Sequence, residues 1–293
     1  MSFVMTEAEF LAALRTLPLH TGALGLADDA ARLGELVITT DLIAEGVHFL
    51  PADPPGDVAW KLVAVNLSDL AAKGARPEGI LLGYPLGDEA WDRAFLAGLG
   101  AALAAFACPL LGGDTVKVAG PRTLALTAIG RAAVSPTRSG ARPSDALWVT
   151  GTIGDAGIGL AIARGTAGPP ELLQRYRRPI PRLAEGPALA PLVTAMMDVS
   201  DGLLIDAARM AAASGCAVTI DLAHVPLSPH HPGDRLAAAT AGDDYELLFA
   251  LPAGTEPPVP ATRIGAFAAG RGLSLTDRGR PIPLPSRLGY EHL

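Results

Sequence analysis

The segment DVAWKLVAVNLSDLAAKG, residues 57–74, is apolar for most of its length yet places Asn66, Asp69 and Lys73 at spacings of three and four. On a helix that spacing makes one stripe, so a polar line runs along a mostly apolar rod. Pro54-Pro55-Gly56 precedes it, which makes Asp57 the expected N-cap, and Gly74 is the expected stop. Outward from this helix, Ala30–Leu33 and Leu36–Thr40 read as strands on one side and Ile80–Tyr84 on the other. A helix over Glu89–Ala107 follows, with Phe95, Leu99, Leu103 and Phe106 on one stripe, and is expected to be buried. Leu110-Leu111 and Thr123–Ile129 read as further strands, and Thr6 with Glu9 forms a capping box before a short first helix. Strands arrive both in pairs and between helices, so the class is α/β, or mixed α+β, with a mixed sheet.

The Pro-, Arg-, Gly- and Ser-rich stretch from Ser135 to Ser144 marks an expected domain boundary, giving domains over 1–140 and 141–293. Beyond it come a strand at Leu147–Thr150 and a Gly-rich run, Gly151 to Gly159, leading into a helix. Ser200 is the expected N-cap of a helix ending at Gly215, and Val218–Leu222 and Leu247–Leu251 read as strands. Short strands are expected around Ile264 and Leu273.

Two domains also suit the 293-residue length, and 49% hydrophobic against 18% charged residues excludes a disordered chain. A net charge of −7 argues against a nucleic-acid binder. Cys108 and Cys216 form no metal or disulfide pattern and read as buried packing residues in a reducing compartment. The N-terminal stretch Met1 to Glu7 lacks the basic region and apolar core of a signal peptide. Ala94 to Gly113 is uncharged and long enough to span a bilayer, but its Ala and Gly content and Pro109 argue against insertion. A cytoplasmic protein with no membrane partner is expected.

The acids occupy unusual places. Asp28-Asp29, Asp41, Asp69, Asp114, Asp198, Asp201 and Asp243-Asp244 lie at strand ends, in Gly turns or within apolar segments. Carboxylates taken out of water must be paired, hydrogen-bonded or metal-bound. Basic residues are scarce in these segments, so a cluster of hard cations, Mg²⁺ or Mn²⁺, is the economical reading. No P-loop, dinucleotide fingerprint or nucleophile elbow is present. The Gly151–Gly159 run reads either as a phosphate cradle or as a tight strand-to-helix turn. His224, His230 and His231 crowd one Pro-rich loop, where a metal site is the less favoured reading.

Taken together and in order, several segments resemble the thiamine-monophosphate kinases, within the aminoimidazole ribonucleotide synthetase superfamily. They are Asp28-Asp29, Thr39-Thr40-Asp41 with Glu45-Gly46-Val47-His48-Phe49, and Asn66-Leu-Ser68-Asp69. Gly112-Gly113-Asp114-Thr115, Thr137-Arg138-Ser139-Gly140, Asp198-Val-Ser200-Asp201-Gly202 and Gly242-Asp243-Asp244-Tyr245 continue the set, which ends at Gly289-Tyr290-Glu291-His292. The resemblance implies a homodimer whose N-terminal mixed sheets form a barrel across the two-fold, with a C-terminal α/β sandwich beside it. It implies ATP and several Mg²⁺ ions between the domains, and thiamine monophosphate as the acceptor. Carried onto this sequence, Asp29, Thr39, Thr40, Asp41, Asp69, Asp114, Asp198 and Asp201 become metal ligands. Gly113, Asp114, Arg138 and Ser200 would touch ATP, and His48, Asp243 and Tyr290 the acceptor. No protein general base is expected, because the attacking phosphate oxygen is already ionised. Ala27, Ala241 and Leu293 depart from the family's usual residues, which bears on pocket shape and removes no carboxylate. The alternatives are an ATP-dependent ligase of the same superfamily acting on a ribonucleotide amide, and a non-enzymatic thiamine- or nucleotide-binding module.

Overall fold

A computed structural model describes residues 5–291. The departure at Leu293, with His292 and the first four residues of the N-terminal stretch, lies outside the described residues. The first half runs α1 (Glu7–Leu14), β1 (Ala31–Leu33), β2 (Leu36–Ala44), α2 (Pro55–Ala72), β3 (Arg76–Leu86), α3 (Glu89–Ala105), β4 (Leu110–Lys117) and β5 (Thr123–Arg131). Its sheet has the order β1-β2-β5-β3-β4, with only β3 and β4 parallel, so the sheet is mixed. The expected capping box is present: Thr6 accepts the Glu9 amide and Glu9 accepts that of Thr6.

The second half runs β6 (Ala146–Thr150), α4 (Asp155–Ala163), α5 (Pro170–Arg177), α6 (Glu185–Leu189), β7 (Ala195–Asp198), α7 (Leu203–Ser214) and β8 (Ala217–Asp221). It closes with α8 (Arg235–Thr240), β9 (Leu247–Leu251), β10 (Ala261–Ala268), β11 (Gly272–Asp277) and β12 (Arg280–Ile282). The sheet order is β12-β11-β8-β10-β6-β9-β7, again mixed because β8 and β11 are parallel.

Helix α2 joins the halves. Its Leu62, Val63 and Leu67 lie in a core with Val37, Ile43, Leu124 and Leu126 of the first sheet. Its Ala71 and Ala72 lie in another with Trp148, Met196 and Phe249 of the second. Thirteen of its 18 residues are therefore buried, which is why the segment is apolar nearly all round. Gly186 of α6 packs so closely that a Cβ there would sit 2.0 Å from the Ala71 carbonyl oxygen. On the far face of the second sheet, α7 and α8 cover Val149, Met197, Ile220 and Phe267.

Several expectations need correction. Pro54, not Asp57, holds the N-cap position of α2; Pro55 opens the helix where no N–H is required, and Asp57 pairs with Arg178 at 2.5 Å. In α3 only Phe95, Leu99 and Ala102 are fully buried, because its other side, with Arg93, Leu96 and several alanines, faces water. None of the described helices is long and apolar enough to cross a membrane. Strand β4, expected only at Leu110-Leu111, continues through Gly112-Gly113-Asp114. Gly113 permits this: a Cβ there would lie 1.9 Å from the Leu82 carbonyl oxygen on β3. Ser200 does not cap α7; Gly202 stands there, and Asp206 accepts the Asp201 and Gly202 amides instead. Cys108 and Cys216 are both buried and unbridged, as read.

Candidate active site

The polar stripe of α2 faces three other segments at once. From β2, whose alternate residues point to α2, the Thr39 hydroxyl donates to Asp69 at 2.5 Å and the Asp41 amide to Asn66 at 2.9 Å. From the end of β7, Asp198 accepts the Ser68 hydroxyl at 2.6 Å. At the last turn Lys73 pairs with Asp28 and, at 2.7 Å, with Asp29, and also donates to the Met196 carbonyl. Four carboxylates thus come from four segments: Asp29 from the loop before β1, Asp41 from β2, Asp69 from α2 and Asp198 from β7.

Their charges are unequally compensated. Burial opposes the charge of Asp29, but Lys73 and Arg138 beside it hold its carboxyl below the ordinary 3.8. Burial, then the charges of Asp29 and Asp201, push Asp41 up to about 6. Burial and Asp29 push Asp198 up to about 8 against the Ser68 hydrogen bond. Asp69 rises well above its ordinary range through burial and the charges of Asp41, Asp198 and Asp29. The expectation that bases are scarce around the acids is therefore partly corrected. Lys73 and Arg138 serve Asp28 and Asp29, Arg209 serves Asp201 and Asp206, and Lys61 serves Asp243. Among the described residues Asp41, Asp69 and Asp198 have no basic partner.

This donor set, carboxylates and a hydroxyl, suits a hard cation such as Mg²⁺. No three Asp, Glu, His or Cys groups among the described residues stand close enough to hold an ion as they are. Like charge opposes their approach, and a bound cation would relieve it.

A second group lies beside this cluster. Asp243 has a left-handed backbone (φ 69°) and donates its amide to the Ser200 carbonyl at 2.8 Å. Its carboxylate accepts from Lys61 at 2.8 Å and from the Tyr245 hydroxyl at 3.0 Å. His48 accepts the Ala44 amide on Nδ1 at 3.1 Å, and its carbonyl takes a bond from Lys61 at 2.8 Å. Tyr290 donates its amide to the Asp201 carbonyl at 2.9 Å and leaves its ring half exposed. The C-terminal segment is thereby tied to the turn that carries Ser200 and Asp201. Arg138 reaches Asp29 through Nε at 3.1 Å.

Three of the sequence-derived residues stand apart. The Thr40 side chain points to the open face of the first sheet, where it bonds the Leu126 carbonyl. Asp114 is on that same face: the register Asp114–Gly83–Ala125–Leu42 sets it three strands, about 14 Å, from β2. Gly113 neighbours it on exposed β4. In the Gly151–Gly159 run, the Gly154 amide is spent on Asp244 at 2.9 Å, which fits the tight-turn reading. Sequence reasoning missed Lys61, Arg209 and Asp206. Lys61 precedes Ser68 by seven positions, two helical turns, and that spacing was the available signal.

Known proteins resemble this chain in sequence and fold over most of its length. Two family models, the N-terminal and C-terminal domains of AIR synthase related protein, match residues 27–132 and 142–277. The thiamine-monophosphate kinase of Caulobacter vibrioides is 41% identical over 98% of this chain and 91% of its own length. That of Escherichia coli K12 is 40% identical over 92% of this chain and 91% of its own. A solved structure of AaThiL complexed with AMPPCP and TMP superposes with a TM-score of 0.87 at 28% identity, over 99% of this chain and 97% of that one. The chain therefore belongs to the AIR synthase related family and, within it, to the thiamine-monophosphate kinases.

Proposed function

We infer that this chain transfers the γ-phosphoryl group of ATP to the phosphate of thiamine monophosphate, yielding thiamine diphosphate. The observation that carries the reading is the set of buried carboxylates from four segments, three of them without a basic partner, at the seam of the two domains. A cleft this acidic repels two phosphorylated substrates unless cations intervene. Several Mg²⁺ ions, held by Asp29, Thr39, Thr40, Asp41, Asp69, Asp114, Asp198 and Asp201, would neutralise substrate and protein charge together.

The chain's own residues then position the reactants. Gly113, Asp114, Arg138 and Ser200 serve the nucleotide, and His48, Asp243 and Tyr290 the acceptor. The acceptor oxygen is ionised near neutral pH, so no residue needs to remove a proton. His48 suits a positioning role, since its Nδ1 is already engaged by the Ala44 amide. Thr40 contributes through its main chain in this reading, as its hydroxyl faces the other way.

The homodimer is part of the proposal. The open face of the first sheet exposes Leu42, Leu81, Leu111 and Val116, an apolar surface suited to closing a barrel against a second copy. A dimer across that face is what gives Asp114 a route to the nucleotide. Residues 1–140 would then supply dimerisation and most metal ligands, and residues 141–293, an α/β sandwich, would complete the cleft. A cytoplasmic location follows from ATP as co-substrate.

The test is ADP release with thiamine monophosphate as sole acceptor and Mg²⁺ present. Stoichiometric ADP and thiamine diphosphate are expected. ADP release only with a ribonucleotide amide would replace this reading by the ligase, and no release with either acceptor would leave a binding module.

A further inference from the structure

Helix α2 carries a second lysine, and unlike Lys73 it lies at the acceptor end. The Lys61 side chain is 2% exposed. Its ammonium meets the Asp243 carboxylate at 2.8 Å, the His48 carbonyl at 2.8 Å and the face of the Tyr176 ring, 4.3 Å from its centroid. An ammonium withdrawn from water to this extent needs such a set of partners, and these three come from three different segments.

Each partner is itself fixed. Tyr176 on α5 donates its hydroxyl to buried Asp53 at 2.9 Å, and Arg177 holds the same carboxylate at 3.0 Å. The Trp60 indole donates to the Pro179 carbonyl at 2.9 Å and Asp57 pairs with Arg178, so the first turns of α2 are pinned to the second domain just ahead of Lys61. Asp243 keeps a left-handed backbone that a non-glycine residue adopts only when its surroundings over-determine it. Lys61, Tyr245 and the Ser200 carbonyl supply that determination. The ammonium touches both the His48 carbonyl and Asp243, residues 195 positions apart in the chain.

We propose that Lys61 is a positioning residue for the phosphate acceptor: it locks the His48 loop and the Asp243 carboxylate, one from each domain, into a single acceptor-binding geometry. The inference rests on the kinase reading above, because His48 and Asp243 are taken as acceptor contacts. Among the described residues the Lys61 ammonium pairs with Asp243 and not with the carboxylate cluster, and the nucleotide residues Arg138 and Ser200 are held by other partners. Its loss should therefore separate the two substrates.

The experiment uses the full-length chain with Lys61→Met, which keeps the aliphatic stem and deletes the charge. The KM for thiamine monophosphate should rise about tenfold or more, the scale of a buried hydrogen bond to a charged group. The KM for ATP should stay within about twofold, and calorimetric binding of thiamine monophosphate should weaken in parallel. Should Lys61→Met fail to fold, Lys61→Gln, a neutral donor of similar reach, must show the same split. An unchanged acceptor KM in either folded variant, or equal rises for ATP and acceptor, overturns the inference. Absence of turnover in the unmodified chain would instead overturn the kinase reading, and the calorimetric comparison of parent and variant would still judge Lys61.

Discussion

Replacing Asp198 by Asn should make the metal-free protein more stable while disabling it. Asp198 is buried and loses its proton only near pH 8, against an ordinary 3.8, because burial and Asp29 disfavour its charge. Between those two values the native chain keeps a proton that the unfolded chain has released, so native stability falls as pH rises. At about 1.4 kcal/mol per pH unit, the full cost of the ionised group approaches roughly 6 kcal/mol above pH 8. The Asn amide oxygen can still accept the Ser68 hydroxyl, which Asp198 now takes at 2.6 Å. Allowing half of the cost to be relieved by local relaxation leaves about 3 kcal/mol, or roughly 5 °C in Tm for a chain of this size. The assay is a set of thermal melts of parent and Asp198→Asn in EDTA from pH 5.5 to 9. The gap should widen across this range and level off above pH 8; it closes only near pH 4, where the side chain is neutral in both the folded and the unfolded chain. Added Mg²⁺ should stabilise the parent more than the variant. An Asn variant that melts below its parent at pH 9, or a gap that ignores pH, would refute the reasoning.

Asp41→Asn and Asp69→Asn should each lower kcat at least ~100-fold in folded protein, the scale of losing one preorganised electrostatic element, as read by ADP release at saturating ATP. Leu81→Asp combined with Val116→Asp should convert a dimer to a monomer by light scattering, since both side chains lie on the open sheet face; a monomeric parent would remove the barrel from the proposal. The Cys108→Ala/Cys216→Ala variant should retain activity and lose about 1–2 kcal/mol of stability. The native Cys108 thiol, pushed by burial to about 11, should resist alkylation at pH 8. The acid limb of the pH–rate profile should follow the acceptor's second ionisation, about pKa 6, and persist in His48→Asn at saturating Mg²⁺; a flat profile in that variant would name His48 as the titrating group.

Much of the site could be read from one dimension because its chemistry breaks a local rule. Asn66, Asp69 and Lys73 interrupt an apolar helix, and all three proved to face partners from other segments. What spacing along one helix cannot show is which segment arrives opposite. Nothing local to Asp198 reveals that Ser68, 130 positions away, meets it. Lys61 reads as an ordinary helix residue until the Gly242–Tyr245 turn is placed beside it. The full length of β4 was hidden for a different reason. Two glycines before an Asp usually make a turn, and here they make a close strand pairing, which only the position of Leu82 on β3 decides. The cap of α2 moved from Asp57 to Pro54 because two prolines already satisfied the first turn.

The placement of Ala71 and Ala72 in the second domain's core has a consequence for biosynthesis. A multidomain chain emerging from the ribosome commonly completes its first domain before the next is made, at about 5–20 residues per second. Here α2 lacks its covering layer until Met196, Phe249 and Leu251 have been synthesised. For on the order of ten seconds the nascent first half must carry an apolar helix face and a buried-lysine site whose Met196 partner does not yet exist. The same dependence means that a fragment ending near residue 140, which looks like a domain in the sequence, would be released with an unfinished side.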